Sequence, residues 1–306
     1  MLRKVLLATE KAFAKQAVVG IESIFSKAGY ALTKLENYTS KDELLTAIAD
    51  VEAVIIRSDI VDKEVIESAS NLKIVVRAGA GYDNIDTAAA SSKNIVAMNT
   101  PGQNSNAVAE LVIGMMVYLA RGKYNGKSGS ELRGKKLGIH AYGNVGRYVA
   151  SIAKGFGMDV YAYDPFVERS KIEADGIKVF EDVKEMYAVC DYISLHLPKT
   201  KTTVKSINYD LLSIMPEHGT LINTARGEVI CEDSIVRIMK ERKNFKYGTD
   251  ITPENEETMK QFNERYFSTP KKMGAQTEEA NINAGLAAAE QIVAFFEKGD
   301  TTFKVN

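Results

Sequence analysis

Residues 135–164 read KKLGIHAYGNVGRYVASIAKGFGMDVYAYD. KKLGIHA has the pattern of a buried strand, YGNVGR that of a turn, and YVASIAKGFG that of the helix after it. Strand, glycine turn and helix in this order make the first half of a dinucleotide-binding βαβ unit, with one change. Ala141 stands where the first glycine belongs, so the motif is A-x-G-x-x-G. Gly143 would let the backbone approach a pyrophosphate, Gly146 would let the helix pack on the strand, and the helix N-terminus would offer N–H groups to the anion. Asp164 ends the next strand, DVYAYD. It follows the turn by roughly 20 residues, where a carboxylate accepts the ribose hydroxyls and repels a 2′-phosphate. Read alone, the glycines equally suit any tight strand-helix turn and Asp164-Pro165 a strand-ending turn. In register, they predict an NAD site with NAD favoured over NADP.

Outward from this unit the rhythm repeats. KVLLAT, AVIIR, KIVVR, DYISLHLP and GTLINTAR are further apolar runs separated by helical stretches, the signature of buried parallel strands in doubly wound α/β sheets. Residues 105–121, SNAVAELVIGMMVYLAR, are apolar nearly all round but too short and too closely flanked by charge for a membrane span. They read as a helix buried between domains or subunits. At the far end Thr277 has the place of an N-cap, two glutamates follow it, and Lys298-Gly299 closes the helix. With 306 residues the chain is long enough for two domains. Its 39 basic and 40 acidic residues leave no bulk field for nucleic acid or an anionic membrane, so an anionic substrate must be met by a few placed arginines. Cys190 and Cys231 are the only cysteines and form no C-x-x-C. The expectation is a reducing, cytoplasmic setting with no metal site.

Six signatures then follow in one order: RAGAGYDNID (77–86), NTPGQNSNAVAEL (99–111), the glycine turn with Asp164, HLP (196–198), INTARGEVI (222–230) and GAQTEEA (274–280). In these the chain resembles the D-2-hydroxyacid dehydrogenase family. The resemblance implies two doubly wound parallel-sheet domains, a Rossmann cofactor domain (99–276) inserted into a flavodoxin-like substrate domain (1–98 and 277–306), hinged near residues 99 and 275. It also implies a homodimer built on the cofactor domains, which fits the apolar helix at 105–121. Within the family the likeness is greatest to the branch that oxidises 3-phospho-D-glycerate to 3-phosphohydroxypyruvate with NAD, the opening step of serine synthesis. The chain ends after one closing helix, so a regulatory domain of the ACT type is not expected.

Matched position by position, Arg226 is the arginine that binds the substrate carboxylate and polarises its C2 oxygen. The backbone amides of Ala80 and Gly81 would receive the same carboxylate, and Asn104 would line the cleft. Arg57 and Arg77 match positions facing the phosphate end of the substrate, where forked guanidiniums suit a dianion. The backbone of Asn144 and Val145 would reach the pyrophosphate. Leu197 and Pro198 would flank the adenosine, while Thr224 and Asp250 would face the nicotinamide side, with Gly274 and Ala275 completing the cofactor set. His140, His196 and His218 are the only histidines, and none stands at the family's acid–base position. Two residues before Gly274, that position holds Lys272, preceded by Lys271. The glutamate that pairs with the histidine in the family is also changed. Its place, five residues after Asp250, holds Asn255, with Glu254 and Glu256 on either side. A carboxylate raises a histidine toward neutrality but pushes an already alkaline lysine further away, so the two changes are coherent. Lys272 is therefore expected to be the acid–base group.

Two other readings remain from the sequence. A glyoxylate, hydroxypyruvate or D-lactate reductase would use the same chemistry without Arg57 and Arg77. A non-enzymatic NAD sensor would have no need of NTARG or of the GAG backbone.

Overall fold

A computed structural model describes residues 2–306. The chain forms two compact units, Met1–Asn104 with Gln276–Asn306, and Ser105–Ala275. In the first, β1 (Lys4–Thr9), α1 (Lys15–Ala28), β2 (Ala31–Glu36), α2 (Lys41–Ile48), β3 (Ala53–Ile56), α3 (Lys63–Ser68), β4 (Ile74–Arg77), α4 (Thr87–Ser92) and β5 (Val96–Asn99) alternate. They build a parallel sheet of order β2-β1-β3-β4-β5. Successive side chains go to opposite faces. Val5, Leu7, Ile55 and Val76 pack with Ile21 and Phe25 of α1, whereas Leu6, Val54 and Val75 pack with Leu44 and Ile48 of α2. Both faces are covered, which is why these strands read as unbroken apolar runs.

The second unit runs α5 (Ser105–Ala120), β6 (Lys136–His140), α6 (Asn144–Gly155), β7 (Asp159–Tyr163), α7 (Arg169–Ala174), β8 (Lys178–Val179), α8 (Val183–Val189), β9 (Tyr192–Leu195), α9 (Tyr209–Leu212), β10 (Thr220–Asn223), α10 (Glu232–Glu241), β11 (Lys246–Thr249), α11 (Glu256–Lys260) and β12 (Tyr266–Ser268). Its seven strands are ordered β12-β11-β10-β9-β6-β7-β8, all parallel. The final helix α12 (Glu278–Lys298) belongs to the first unit. Thr277 caps it by accepting the Ala280 amide at 3.1 Å, and Gly299 ends it at φ 66°.

Two local expectations need correction. The helix after the glycine turn begins at Asn144, inside YGNVGR, because Gly143 is already its N-cap. The apolar runs name seven strands and miss β2, β5, β8, β11 and β12. β11 reads KYGT, and its Gly248 is required because a Cβ there would lie 2.9 Å from Ile222 Cδ1 and 3.0 Å from Leu119 Cδ1. Packing against α5, not strand propensity, selects that glycine.

Candidate active site

The glycine turn leaves the carboxyl end of β6, in the middle of the seven-stranded sheet, where doubly wound sheets bind ligands. Ala141 adopts φ 78°, a left-handed backbone that a Cβ disfavours by roughly 1–2 kcal/mol. Gly146 is needed for packing, since a Cβ there would fall 2.6 Å from the Ala141 carbonyl oxygen. Gly143 differs: a Cβ there would enter open space, beside the helix end. The amides of Asn144, Val145 and Gly146 precede the first helical bond, Arg147 N–H to Gly143 O, and so are available to an anion. Asp164 accepts the Tyr142 amide through Oδ2 and the Phe166 amide through Oδ1, both at 2.8 Å. Those bonds tie the acidic residue to the turn and orient it.

At the ends of β10 and β11, Thr224 and Asp250 are side by side, the Asp250 amide donating to Asn223 O. Asp250 is fully buried and its Oδ2 accepts the amides of Gly274 and Met273 at 2.8 and 3.3 Å. Burial pushes its carboxyl up, while the Gly274 amide and the nearby charges of Lys272 and Arg226 pull it back. Asp250 Oδ1 and Thr224 Oγ1 are buried without a hydrogen bond among the described residues. One acceptor and one hydroxyl so placed fit a carboxamide, as in nicotinamide, and the free helix end fits its pyrophosphate. Gly274 has no room for a side chain because Asp250 Oδ2 lies 2.9 Å from its Cβ position.

Arg226 and Lys272 meet at the Ala225 carbonyl, with Nη1 at 2.9 Å and Nζ at 3.0 Å. Lys272 is exposed, as is Lys271, whose carbonyl accepts the Thr269 hydroxyl. The loop carrying Asn255 is held by Glu232, whose carboxylate takes the amides of Glu254 and Asn255 at 2.9 and 3.1 Å. Glu256 is paired with Lys260 at 3.1 Å. Leu197 packs on the core beneath α8 and α10, and Pro198 is exposed, its carbonyl accepting Thr203 Oγ1.

In the first unit Arg57 follows β3 and Arg77 ends β4, and Arg77 Nε donates to Arg57 O at 3.0 Å. Arg57 bridges to the loop after β1, donating to the carbonyls of Lys11 and Ala12 at 3.3 Å, and to Asn281 Oδ1 on α12 at 2.5 Å. Between β1 and β3 the strand order reverses, so this is the switch point of that sheet. The Arg57 side chain bonds to neutral oxygens; burial lowers its guanidinium's affinity for its proton, and the nearby Asp59 carboxylate opposes this. Ala80 is exposed and Gly81 half-buried on the loop after β4, while Asn104 is half-buried.

None of the three histidines joins these groups. His140 is buried, with Nδ1 3.0 Å from the Tyr187 hydroxyl, and burial holds its pKa down to about 4. His196 bonds Ser194, and His218 pairs with Asp191 at 2.7 Å. Among the described residues no cluster of His, Cys, Asp or Glu is suited to a metal ion, and no helix is long and apolar enough to cross a membrane. Two site-building residues escaped the sequence reading. Asn223 accepts the Ala225 amide and donates to Arg226 O, both at 3.0 Å, shaping the arginine's loop. Asn99 donates to Ala80 O at 2.6 Å. The signal was present: each is the last residue of a strand and is followed by threonine.

Comparison with known proteins agrees with this architecture. The NAD binding domain of the D-isomer specific 2-hydroxyacid dehydrogenases matches residues 107–272. The NAD+-bound 3-phosphoglycerate dehydrogenase of Entamoeba histolytica superposes with a TM-score of 0.90 at 45% identity, covering 100% of this chain and 99% of that one. The D-3-phosphoglycerate dehydrogenase of Methanocaldococcus jannaschii is 36% identical over 83% of this chain, which spans 51% of that protein's length. The hydroxypyruvate reductase of Thermotoga maritima is also 36% identical, over 83% of this chain and 88% of the relative. Strand order, glycine turn and these matches together place the chain in the NAD-binding D-isomer specific 2-hydroxyacid dehydrogenase family.

Proposed function

We propose that this protein oxidises 3-phospho-D-glycerate to 3-phosphohydroxypyruvate with NAD, opening serine synthesis in the cytoplasm. The observation that carries the substrate choice is the pair Arg57 and Arg77, joined through the Arg57 carbonyl at the switch point of the first sheet. The Arg57 side chain hydrogen-bonds to neutral oxygens and not to a carboxylate, which suits a guanidinium that receives a dianion. The Ala80 and Gly81 amides and Arg226 take the carboxylate, and Arg226 polarises the C2 oxygen. Gly143–Gly146, Asp164, Thr224 and Asp250 would hold NAD, which would supply the hydride acceptor for C2. Lys272 takes the C2 hydroxyl proton in oxidation and returns it in reduction. Asp164 favours NAD over NADP by repelling a 2′-phosphate.

A hydroxypyruvate reductase is the second reading, supported by the Thermotoga maritima relative. NADH formation with 3-phosphoglycerate, measured beside D-glycerate, decides between them. Preference for D-glycerate overturns the phosphate assignment, and no turnover with either overturns the enzymatic one. We further propose a homodimer through α5. Gly114 is exposed in mid-helix, and a Cβ there would meet nothing within 4 Å. A glycine so placed weakens the helix by up to about 1 kcal/mol, unless another backbone comes close. Sedimentation of a monomer at micromolar concentration would refute this.

A further inference from the structure

We propose that Asn99 is a positioning residue for substrate: its buried amide holds the Ala80 carbonyl and thereby aims the Gly81 N–H at the ligand's carboxylate. The inference rests on the reading above that the loop after β4 receives a 2-hydroxy acid's carboxylate.

In a trans peptide the C=O of one residue and the N–H of the next point in opposite directions, and the unit is rigid. Fixing a carbonyl therefore fixes the direction of the following amide. Two consecutive carbonyls of the loop are fixed in this way. Gly79 O accepts the Thr100 amide at 3.0 Å, which orients the Ala80 N–H. Ala80 O accepts Asn99 Nδ2 at 2.6 Å, which orients the Gly81 N–H. Neither the Ala80 nor the Gly81 amide donates to an acceptor among the described residues. Both anchors come from the end of β5, which pairs with β4 in the register Arg77 to Asn99.

The loop is also pressed from its own strand. Arg77 lies over Gly79, whose φ is 151°, and a Cβ there would fall 1.8 Å from Arg77 Nη1. Glycine is thus required at 79, and the loop is confined between Arg77 and Asn99. A side chain that only filled space at 99 would leave the Ala80 carbonyl unpaired and the 80–81 peptide free to rotate. Asn99 is 8% exposed, so water does not readily replace it.

Asn99→Ala and Asn99→Asp would be compared with the intact enzyme by calorimetric titration of NAD and of 3-phosphoglycerate, with steady-state kinetics and thermal melting. Asn99→Ala should raise Kd and KM for 3-phosphoglycerate about tenfold, lower kcat less, and leave the NAD Kd and Tm near those of the parent. In Asn99→Asp the new carboxylate faces the Ala80 carbonyl. Binding should be weaker still at neutral pH and recover as the pH is lowered and the side chain regains a proton to donate. Unchanged substrate binding in both variants overturns the inference while the substrate reading stands. Parallel losses in NAD affinity and Tm assign Asn99 to general folding and also overturn it. If the parent binds neither 3-phosphoglycerate nor D-glycerate, the substrate reading itself fails, and this inference with it.

Discussion

Lys272 and Arg226 donate to one oxygen, the carbonyl of Ala225, at 3.0 and 2.9 Å. Two cations held at a shared carbonyl sit near buried Asp250, whose carboxyl burial pushes up and whose rise these charges partly offset. If Lys272 is the proton acceptor, Lys272→Ala should lose about 10²-fold or more in kcat with NAD affinity kept. Oxidation by the parent should climb into the alkaline range while reduction runs well at neutrality. Activity surviving in Lys272→Ala but not in Lys271→Ala would move the role by one residue; survival in both would turn attention to Glu254.

The glycine turn offers a three-way contrast. Gly146→Ala sets a methyl 2.6 Å from the Ala141 carbonyl, and should destabilise the fold by about 1–3 kcal/mol. Gly143→Ala meets no protein atom; it should melt like the parent and bind NAD poorly. Ala141→Gly relieves a φ of 78° and should stabilise by about 1 kcal/mol. Melting curves and NAD titration of the three separate steric from cofactor effects, and equal NAD binding by Gly143→Ala would rule out pyrophosphate at this helix end.

Arg57→Ala should weaken 3-phosphoglycerate binding by about 10- to 100-fold, the loss of charge-assisted bonds, and change D-glycerate turnover little. Equal losses on the two substrates would show that Arg57 only braces Lys11, Ala12 and Asn281.

Stability should fall in acid through His140. Its folded pKa is about 4 against 6.5 for the ordinary group, because burial disfavours the charged ring, with Asp164 opposing. Below 6.5 the unfolded chain takes a proton that the folded chain refuses, so stability is complete above 6.5 and is lost progressively down to about 4. The full loss is about 3 kcal/mol. Burial, with the charge of His140 adding to it, holds His196 down to about 3, so through it too the fold loses stability over the same range, while Tyr163 and Tyr187 meet the His140 ring edge-on. His140→Gln should flatten this part of the denaturation profile measured between about pH 7 and 4. A profile as steep as the parent's would place the titrating group elsewhere.

Much of the protein was legible in one dimension. The central strands are apolar runs because both sheet faces are covered. The caps at Thr277 and Gly299 and the helix at 105–120 are local signals, and the glycine turn with Asp164 is a short-range pattern. Edge and packing-defined strands such as β2 and β11 were not legible, since their residues answer to neighbours far along the chain. The role of Asn99 was hidden for the same reason, whereas Asn223 makes a local turn of a kind that strand-end asparagines favour. Asn99 acts on residue 80, and nothing in composition or spacing says which distant carbonyl an amide will meet. Sequence determined which chemical groups this chain possesses and the order of its elements. Only the tertiary structure decided which of them share an oxygen, because hydrogen-bond partners are set by the crossing of strand ends in space.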